Sequence, residues 1–364
     1  MDNKEKTLLL ITGSWGIGGL ERISANIVNR YSDKGWKVVY LALFEEEANP
    51  FFPIRDKIVL VHGKYKRNPL IHKYSSLTAW IKLIRNTCKK YDPNNIICMT
   101  FKIGSLLRLA SKKYLKRTTI REIADPASNK NKLVILINQI LCRPAKNFIF
   151  QTNWEKQCYN KHIAKKGTVI YNPCVLMCKK DSLYFREQNI VSTGRLTFGQ
   201  KRYDILLKSF DIFHNTHPNI FLDIYGTGSD EEKIRSLANS LASRDNIRFH
   251  PKAKNIQEII KNAGCFLTTS DFEGMSNSLL EAYLLGIPCV SSDWHGVEEI
   301  IQKSSFDGLI YSRQDCNMCA SMLAKIFDDP KGTDKMVLEA TKRRMEFDFD
   351  TLMAQYESVI EADL

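Results

Sequence analysis

Two successive series of short apolar runs, each run followed by a stretch of helical periodicity, fill this chain from end to end. An apolar run that does not alternate leaves no face for water. It reads as a strand buried on both sides, the habit of parallel sheets covered by helices. The first series comprises TLLLITG (Thr7–Gly13), WKVVYLAL (Trp36–Leu43), NIICMT, TTIREIA, NFIFQT and GTVIYN. After its first strand, Leu20, Ile23, Ile27, Val28 and Tyr31 recur at helical spacing, and Gly35 closes the helix. Asn172–Pro173, in VIYNPC, then breaks regular structure. The second series follows with NIVSTGRL, NIFLDIYGTG, NIRFHP, GCFLTT, GIPCVSSD and DGLIYS. The expected fold is α/β, with two Rossmann-like doubly wound domains at residues 1–172 and 173–345. Residues 346–364 read as a turn and a terminal helix that packs back on the first domain. Sheets of this kind gather ligands at the carboxyl ends of their strands, so the cleft between the domains is the expected binding place.

A chain of 364 residues is long enough for two such cores. Its ten cysteines are scattered, which fits a reducing, cytoplasmic setting better than a disulfide scaffold. Leu8–Ile11 is too short for a signal core, and no run approaches the roughly 18 apolar residues of a membrane span. The formal charge of +13 is lopsided: residues 1–172 hold 31 Lys and Arg against 12 Asp and Glu, and the remainder holds 22 against 28. Basic clusters fall at Lys64–Arg67, Lys89–Lys90 and Lys112–Arg117. A basic face suits nucleic acid, anionic lipid or a phosphorylated ligand. Nucleic acid is disfavoured, because no binding module and no stacking aromatics accompany the lysines. Leu77, Trp80, Ile81 and Ile84 form one helical stripe beside Lys82, Arg85, Lys89 and Lys90. That pattern is compatible with interfacial contact to an anionic membrane and equally with packing on the domain's own sheet.

Three segments carry candidate chemistry. In GSWGIGGLER (Gly13–Arg22), glycines between a strand and a helix let backbone N–H groups approach a phosphate. Gly16, Gly18 and Gly19 are misplaced for the dinucleotide fingerprint, and an ordinary tight turn remains open. In TGRLTFGQKRYDILLKSF, Arg195 and Lys201 stand on a strand-to-helix loop where two cations can converge on one anion. Such a pair stabilises a departing diphosphate with little reorganisation. In EGMSNSLLEA (Glu273–Ala282), Ser276 or Asn277 can cap a helix that Gly286 ends, and the N–H groups near Met275, Ser276 and Asn277 form an anion site. Glu273 stands just outside that helix, positioned for hydroxyls, and Glu281 can take a vicinal diol or lie on a solvated helix surface. Asp348–Asp350 (DFD) reads as a helix start and Cys316–Cys319 (CNMC) as a helix entry, so no metal is expected.

These segments together resemble the family-4 glycosyltransferases of the GT-B fold. EGMSNSLLEA looks like their E-x7-E motif with the E-G-x-x-N-x-x-x-E-A frame intact. GGLER, FQTNWEKQCYNKH, VIYNPC, IYGTGSD and GIPCVSSDWHGVEEII follow in the family's order. The resemblance implies a retaining, metal-independent transfer of a hexose or N-acetylhexosamine from a UDP-sugar. Its acceptor would be a polysaccharide or a lipid-linked precursor of a bacterial surface glycan, at the cytoplasmic face of the membrane. It further implies that Arg195 and Lys201 hold the donor diphosphate, Glu273 the transferred sugar and Glu281 the ribose. Gly18 and Gly19 would approach the phosphates, and Gly274 belongs to the donor loop of the frame. On the acceptor side, Arg121 and Glu122 in TTIREIADPASN resemble a charged pair found in bacterial polysaccharide transferases, and a buried ion pair is the competing reading. Two other activities are compatible with parts of the sequence. A sugar-nucleotide epimerase would release an isomerised donor without an acceptor, and a nucleic-acid-binding protein would need the module that is missing.

Overall fold

The computed structural model describes residues 5–362 apart from 17, 45–48, 64–72, 124, 127–130, 179–181, 183–184, 254 and 303–305. The basic cluster Lys64–Arg67 therefore lies outside the described residues. The chain divides into two compact units, one of residues 1–173 with 350–364 and one of residues 174–349.

The first unit holds seven strands: β1 (Thr7–Thr12), β2 (Lys37–Ala42), β3 (Val59–His62), β4 (Asn95–Cys98), β5 (Thr118–Arg121), β6 (Asn147–Phe150) and β7 (Gly167–Val169). Its helices are α1 (Gly19–Asp33), α2 (Lys73–Tyr91), α3 (Phe101–Ala110), α4 (Lys112–Leu115), α5 (Lys132–Cys142), α6 (Asn153–Gln157) and α7 (Lys161–Lys165). The strands form one parallel sheet in the order β3-β2-β1-β4-β5-β6-β7. All six residues of β1 are buried, as a central strand covered on both faces requires. β3 adds an edge strand that the sequence reading does not contain.

The apolar stripe of α2 is spent on this core. Ile84 is fully buried, and Trp80, Ile81 and Leu83 pack against the cluster of Leu9, Val39, Leu41 and Ile96. Of the two readings of that stripe, packing on the sheet is the one the structure contains.

The second unit repeats the plan with β8 (Asn189–Thr193), β9 (Phe221–Tyr225), β10 (Ile247–His250), β11 (Cys265–Thr268), β12 (Cys289–Ser292) and β13 (Leu309–Tyr311). Between and after them run α8 (Phe198–Lys201), α9 (Tyr203–His214), α10 (Glu231–Asn239), α11 (Ile256–Ile260), α12 (Asn277–Leu285), α13 (Cys316–Asp328) and α14 (Pro330–Lys342). The sheet is parallel in the order β10-β9-β8-β11-β12-β13. Its core gathers Ile190, Leu206, Phe210, Leu222, Leu267 and Leu323. In each sheet the order reverses beside the first strand, between β1 and β4 and between β8 and β11. The connections leaving those two strands diverge at the reversal and leave a crevice at their carboxyl ends.

The last helix, α15 (Phe349–Glu361), belongs to the first unit. It buries Leu352, Met353, Tyr356 and Ile360. Glu357 accepts from Arg30 Nε at 2.6 Å and Lys34 Nζ at 2.9 Å, and Asp350 accepts from Arg30 Nη1 at 3.2 Å. Asp350 of the DFD segment is thus committed to an ion pair with α1. None of the ten cysteines is in a disulfide, and six of them are buried.

Candidate active site

The two connections that leave the switch point of the second sheet are the ones that carry Arg195, Lys201 and Glu273. The first follows β8. It turns at Gly194 and passes Arg195 before entering α8, whose last residue is Lys201. The IYGTGSD segment after β9 braces it: Gly194 N donates to Tyr225 O and Leu196 N to Thr227 O, both at 3.0 Å. Asp230 adds a side-chain acceptor for Phe198 N at 3.0 Å. Gly226 adopts φ +152°, and a Cβ there would lie 1.9 Å from Gly194 O. A Cβ on Gly228 would lie 2.2 Å from Leu196 O, so these two glycines permit the close approach of two backbones.

The second connection follows β11, runs through Thr269–Ser276 and opens α12. Lys201 Nζ donates to Glu273 Oε1 at 2.5 Å. Ser270 Oγ donates to the same oxygen at 2.8 Å, and Gln200 Nε2 reaches Oε2 at 3.3 Å. Glu273 is 9% exposed, so its carboxylate is held by three donors at the edge of solvent. Backbone ties fix the two connections to one another: Asp271 N donates to Gln200 O at 2.9 Å, and Thr269 Oγ1 donates to Lys201 O at 2.8 Å.

Directly after Lys201, Arg202 adopts φ +50°. A side chain in that left-handed region costs about 1–2 kcal/mol. A double fork offsets the cost: Arg202 Nε and Nη2 engage Asp204, each at 2.9 Å, and Nη1 engages Asp271 at 2.9 and 3.2 Å. The clamp aims the preceding residue, Lys201, toward the β11 connection. Nothing local in the sequence marks Gln200, Arg202, Thr269 and Ser270. Their signal is weak, since polar residues beside a strand end are ordinary loop composition, and only the fold pairs the two loops.

Ser276 occupies the N-cap of α12 without making a side-chain cap, and its hydroxyl lies 3.4 Å from that of Ser278. The first bond of the helix ladder runs from Leu280 N to Ser276 O, so the amides of Asn277, Ser278 and Leu279 precede it at the positive end of the helix. Met275 and Ser276 are buried, and Gly274 and Asn277 are half-buried. Glu281, one turn further, is 4% exposed, which replaces the solvated-surface reading with a buried carboxylate. Gly286 ends the helix at φ +75°. Arg195 is exposed and makes no hydrogen bond or ion pair among the described residues. The structure thus brings Lys201 and Glu273 into contact and leaves the Arg195 guanidinium in solvent.

In the first unit, Gly18 is the N-cap of α1 in an extended conformation, and Gly19 is the first helical residue. Glu21 folds back over this end. Its Oε1 accepts from Ser14 Oγ at 3.1 Å, and a Cβ on Gly18 would meet its Oε2 at 2.3 Å. A carboxylate therefore sits at the helix end expected to meet phosphates, as helix-dipole energetics favour.

Arg121 and Glu122 are both buried but do not pair. Arg121 ends β5, and Glu122 follows it on backbone still tied to β6, its N–H donating to Ile149 O at 2.9 Å, where successive side chains of extended chain point opposite ways. Arg121 donates from Nε to Tyr356 Oη at 2.7 Å and from Nη2 to Asn172 Oδ1 at 2.6 Å. Glu122 accepts from Tyr159 Oη at 3.2 Å, Ile123 N at 2.9 Å and Phe101 N at 3.4 Å. The ion-pair reading of these two residues is thereby overturned. Near them stands Glu155, 1% exposed, whose Oε2 accepts from Gln151 N at 2.6 Å. Burial, with the neighbouring Glu122 charge, raises its pKa to about 8.

Residues 179–343 match the family model described as glycosyl transferases group 1. The lipopolysaccharide 1,6-galactosyltransferase of Salmonella typhimurium is 26% identical over 311 residues, which are 82% of each chain. Among solved structures, the lipopolysaccharide outer core galactosyltransferase WaaB in its apo form superposes with a TM-score of 0.73. It is 19% identical and covers 99% of this chain and 100% of its own. HepE of Anabaena in complex with UDP-glucose gives a TM-score of 0.78 at 16% identity, covering 98% of this chain and 99% of its own. The two parallel-sheet units have the fold of these GT-B enzymes.

Proposed function

From the premise that the protein is a glycosyltransferase whose residues 179–343 match group 1, we propose that it transfers a hexose or N-acetylhexosamine from a UDP-sugar with retention and without metal. The acceptor is a polysaccharide or lipid-linked oligosaccharide of bacterial surface glycan synthesis, and the reaction is cytoplasmic, at the inner face of the membrane. Support for the acceptor class comes from the Salmonella relative, whose name specifies lipopolysaccharide. HepE, which binds UDP-glucose on the same fold, supports the donor class.

The observation that carries the reading is the pairing of Lys201 with Glu273 at the switch point of the second sheet, beside the N-terminus of α12. In this mechanism the bond between the anomeric carbon and the β-phosphate oxygen breaks while the acceptor oxygen bonds to the same face of that carbon. The acceptor proton passes to a β-phosphate oxygen. Charge that accumulates on the diphosphate is met by the amides of Asn277–Leu279, which the fold fixes beforehand, and by two cations that must move onto it, Lys201 from Glu273 and Arg195 from solvent. Glu273 accepts from hydroxyls of the transferred sugar, and Lys201 turns between that carboxylate and the phosphate. Glu281 takes the ribose diol with its two oxygens. Gly18 and Gly19 supply backbone contact to the donor, and Arg121 and Glu122 shape the acceptor side.

A thermal-shift screen over UDP-, GDP- and ADP-sugars tests the donor class, because a ligand that binds only the folded chain raises its midpoint. Stabilisation by UDP-sugars alone is expected. Proton NMR of the product then reads the anomeric configuration, and inversion would overturn the mechanism. Arg195→Ala is expected to lower kcat by roughly 10²- to 10³-fold with the fold intact, and unchanged turnover would remove Arg195 from its assigned role.

A further inference from the structure

Phe306 stands in a backbone conformation that suits it poorly. Its φ of +52° lies in the left-handed region, which is costly for a bulky residue, and its side chain is 74% exposed. Strain of this kind marks functional positions. The ring borders a hollow of about 710 Å³, a size usual for binding sites, whose walls include Leu309 of the edge strand β13 and Gly332, Lys335, Met336 and Glu339 of α14. These four recur at helical spacing and give α14 one face toward the hollow. Leu309 begins β13, and Asp329, which also lines the hollow, follows α13. The hollow therefore lies at the amino end of the strand, away from the carboxyl-end crevice of Lys201 and Glu273.

The charge around this hollow is balanced. Its walls carry two bases, Lys325 and Lys335, and two acids, Asp329 and Glu339. With no excess of either sign, the face has little to hold a free phosphate or an anionic surface, and it does not repel its own image. Lys335 is exposed and makes no ion pair among the described residues, and Glu339, one turn further along α14, is paired with the exposed Lys342 at 2.6 Å. When two copies of α14 lie antiparallel across a two-fold axis, the base of each meets the acid of the other, because the two side chains stand four residues apart on one face. The same rotation sets the two hollows mouth to mouth. An aromatic ring in an apolar pocket is the usual anchor of a protein contact.

We propose that this face of the second unit joins two copies of the chain through a two-fold contact, with Phe306 of each copy seated against Leu309 and Met336 of the other and Lys335 of each paired with Glu339 of the other. The proposal is independent of the donor site, because it is read from molar mass with no sugar nucleotide present.

The test is light scattering of the full chain after size exclusion, with sedimentation equilibrium over about 1–100 µM to give the dissociation constant. A dimer in equilibrium with monomer is expected. Phe306→Ser should weaken association at least about thirtyfold. Lys335→Glu and Glu339→Lys should each weaken it about tenfold by setting like charges across the axis, and the two together should restore it to within about threefold. Phe306 and Lys335 are exposed and Glu339 is half-buried, so the thermal midpoints of dilute protein should stay unchanged. A monomer throughout the range would overturn the proposal, and so would a dimer that survives Phe306→Ser, which would place the contact on another surface. Failure of the double exchange to rescue what each single exchange weakens would equally overturn the two-fold arrangement.

Discussion

Replacing Glu155 by glutamine isolates one buried titration. Glu155 stands at the start of α6, 1% exposed, with Oε2 on Gln151 N and Oε1 lacking a partner among the described residues. Burial first, then the Glu122 charge, raises its pKa from 4.5 to about 8, against the opposing pull of Gln151 N and Arg121. Between those two values the folded chain keeps a proton that the unfolded chain has released. Stability therefore falls as pH rises through the window, by about 1.4 kcal/mol per pH unit from this group, and the full loss is reached above the folded pKa. The difference between pH 5 and pH 9 amounts to about 3–5 kcal/mol. Glutamine retains an oxygen for Gln151 N and cannot ionise, so the variant should lack this slope and exceed the unaltered chain in stability at pH 9. Urea unfolding at pH 5, 7 and 9 measures it, followed by tryptophan fluorescence, with Trp154 adjacent to the substitution. A difference in pH dependence below about 1 kcal/mol between the two proteins would refute the reasoning.

Lys201→Met removes the cation that Glu273 grips and should lower kcat by roughly 10²-fold or more, measured as transfer of labelled sugar from the stabilising donor. A loss confined to KM would instead assign Lys201 to uniform binding. Gly226→Ala forces a Cβ to within 1.9 Å of Gly194 O at φ +152°, and should cost roughly 2–4 kcal/mol in urea unfolding while misplacing the loop that carries Arg195. Transfer should proceed at the same rate after dialysis against EDTA, and restoration by magnesium or manganese of an activity so lost would defeat the metal-independent mechanism.

Much of this architecture is local information. The apolar runs in the sequence, such as Leu8–Ile11 and Val38–Leu43, dictate strands buried on both faces, and their alternation with helices dictates parallel sheets, because a hydrophobic period belongs to a segment before it has neighbours. The same holds for the residue types of the site: Arg195, Lys201 and Glu273 are legible as cations and a carboxylate at strand ends, and Gly286 as a helix stop. What tertiary structure alone decided is adjacency and exposure. That β8 lies beside β11, and so Lys201 within 2.5 Å of Glu273, follows from strand order, which no segment encodes by itself. Arg121 finds Tyr356 at a separation of 235 residues, which excludes the ion pair its neighbour offered. The burial of Glu281 escaped the sequence because periodicity tells inside from outside only where the two faces of a helix differ in polarity, and α12 is apolar around most of its circumference.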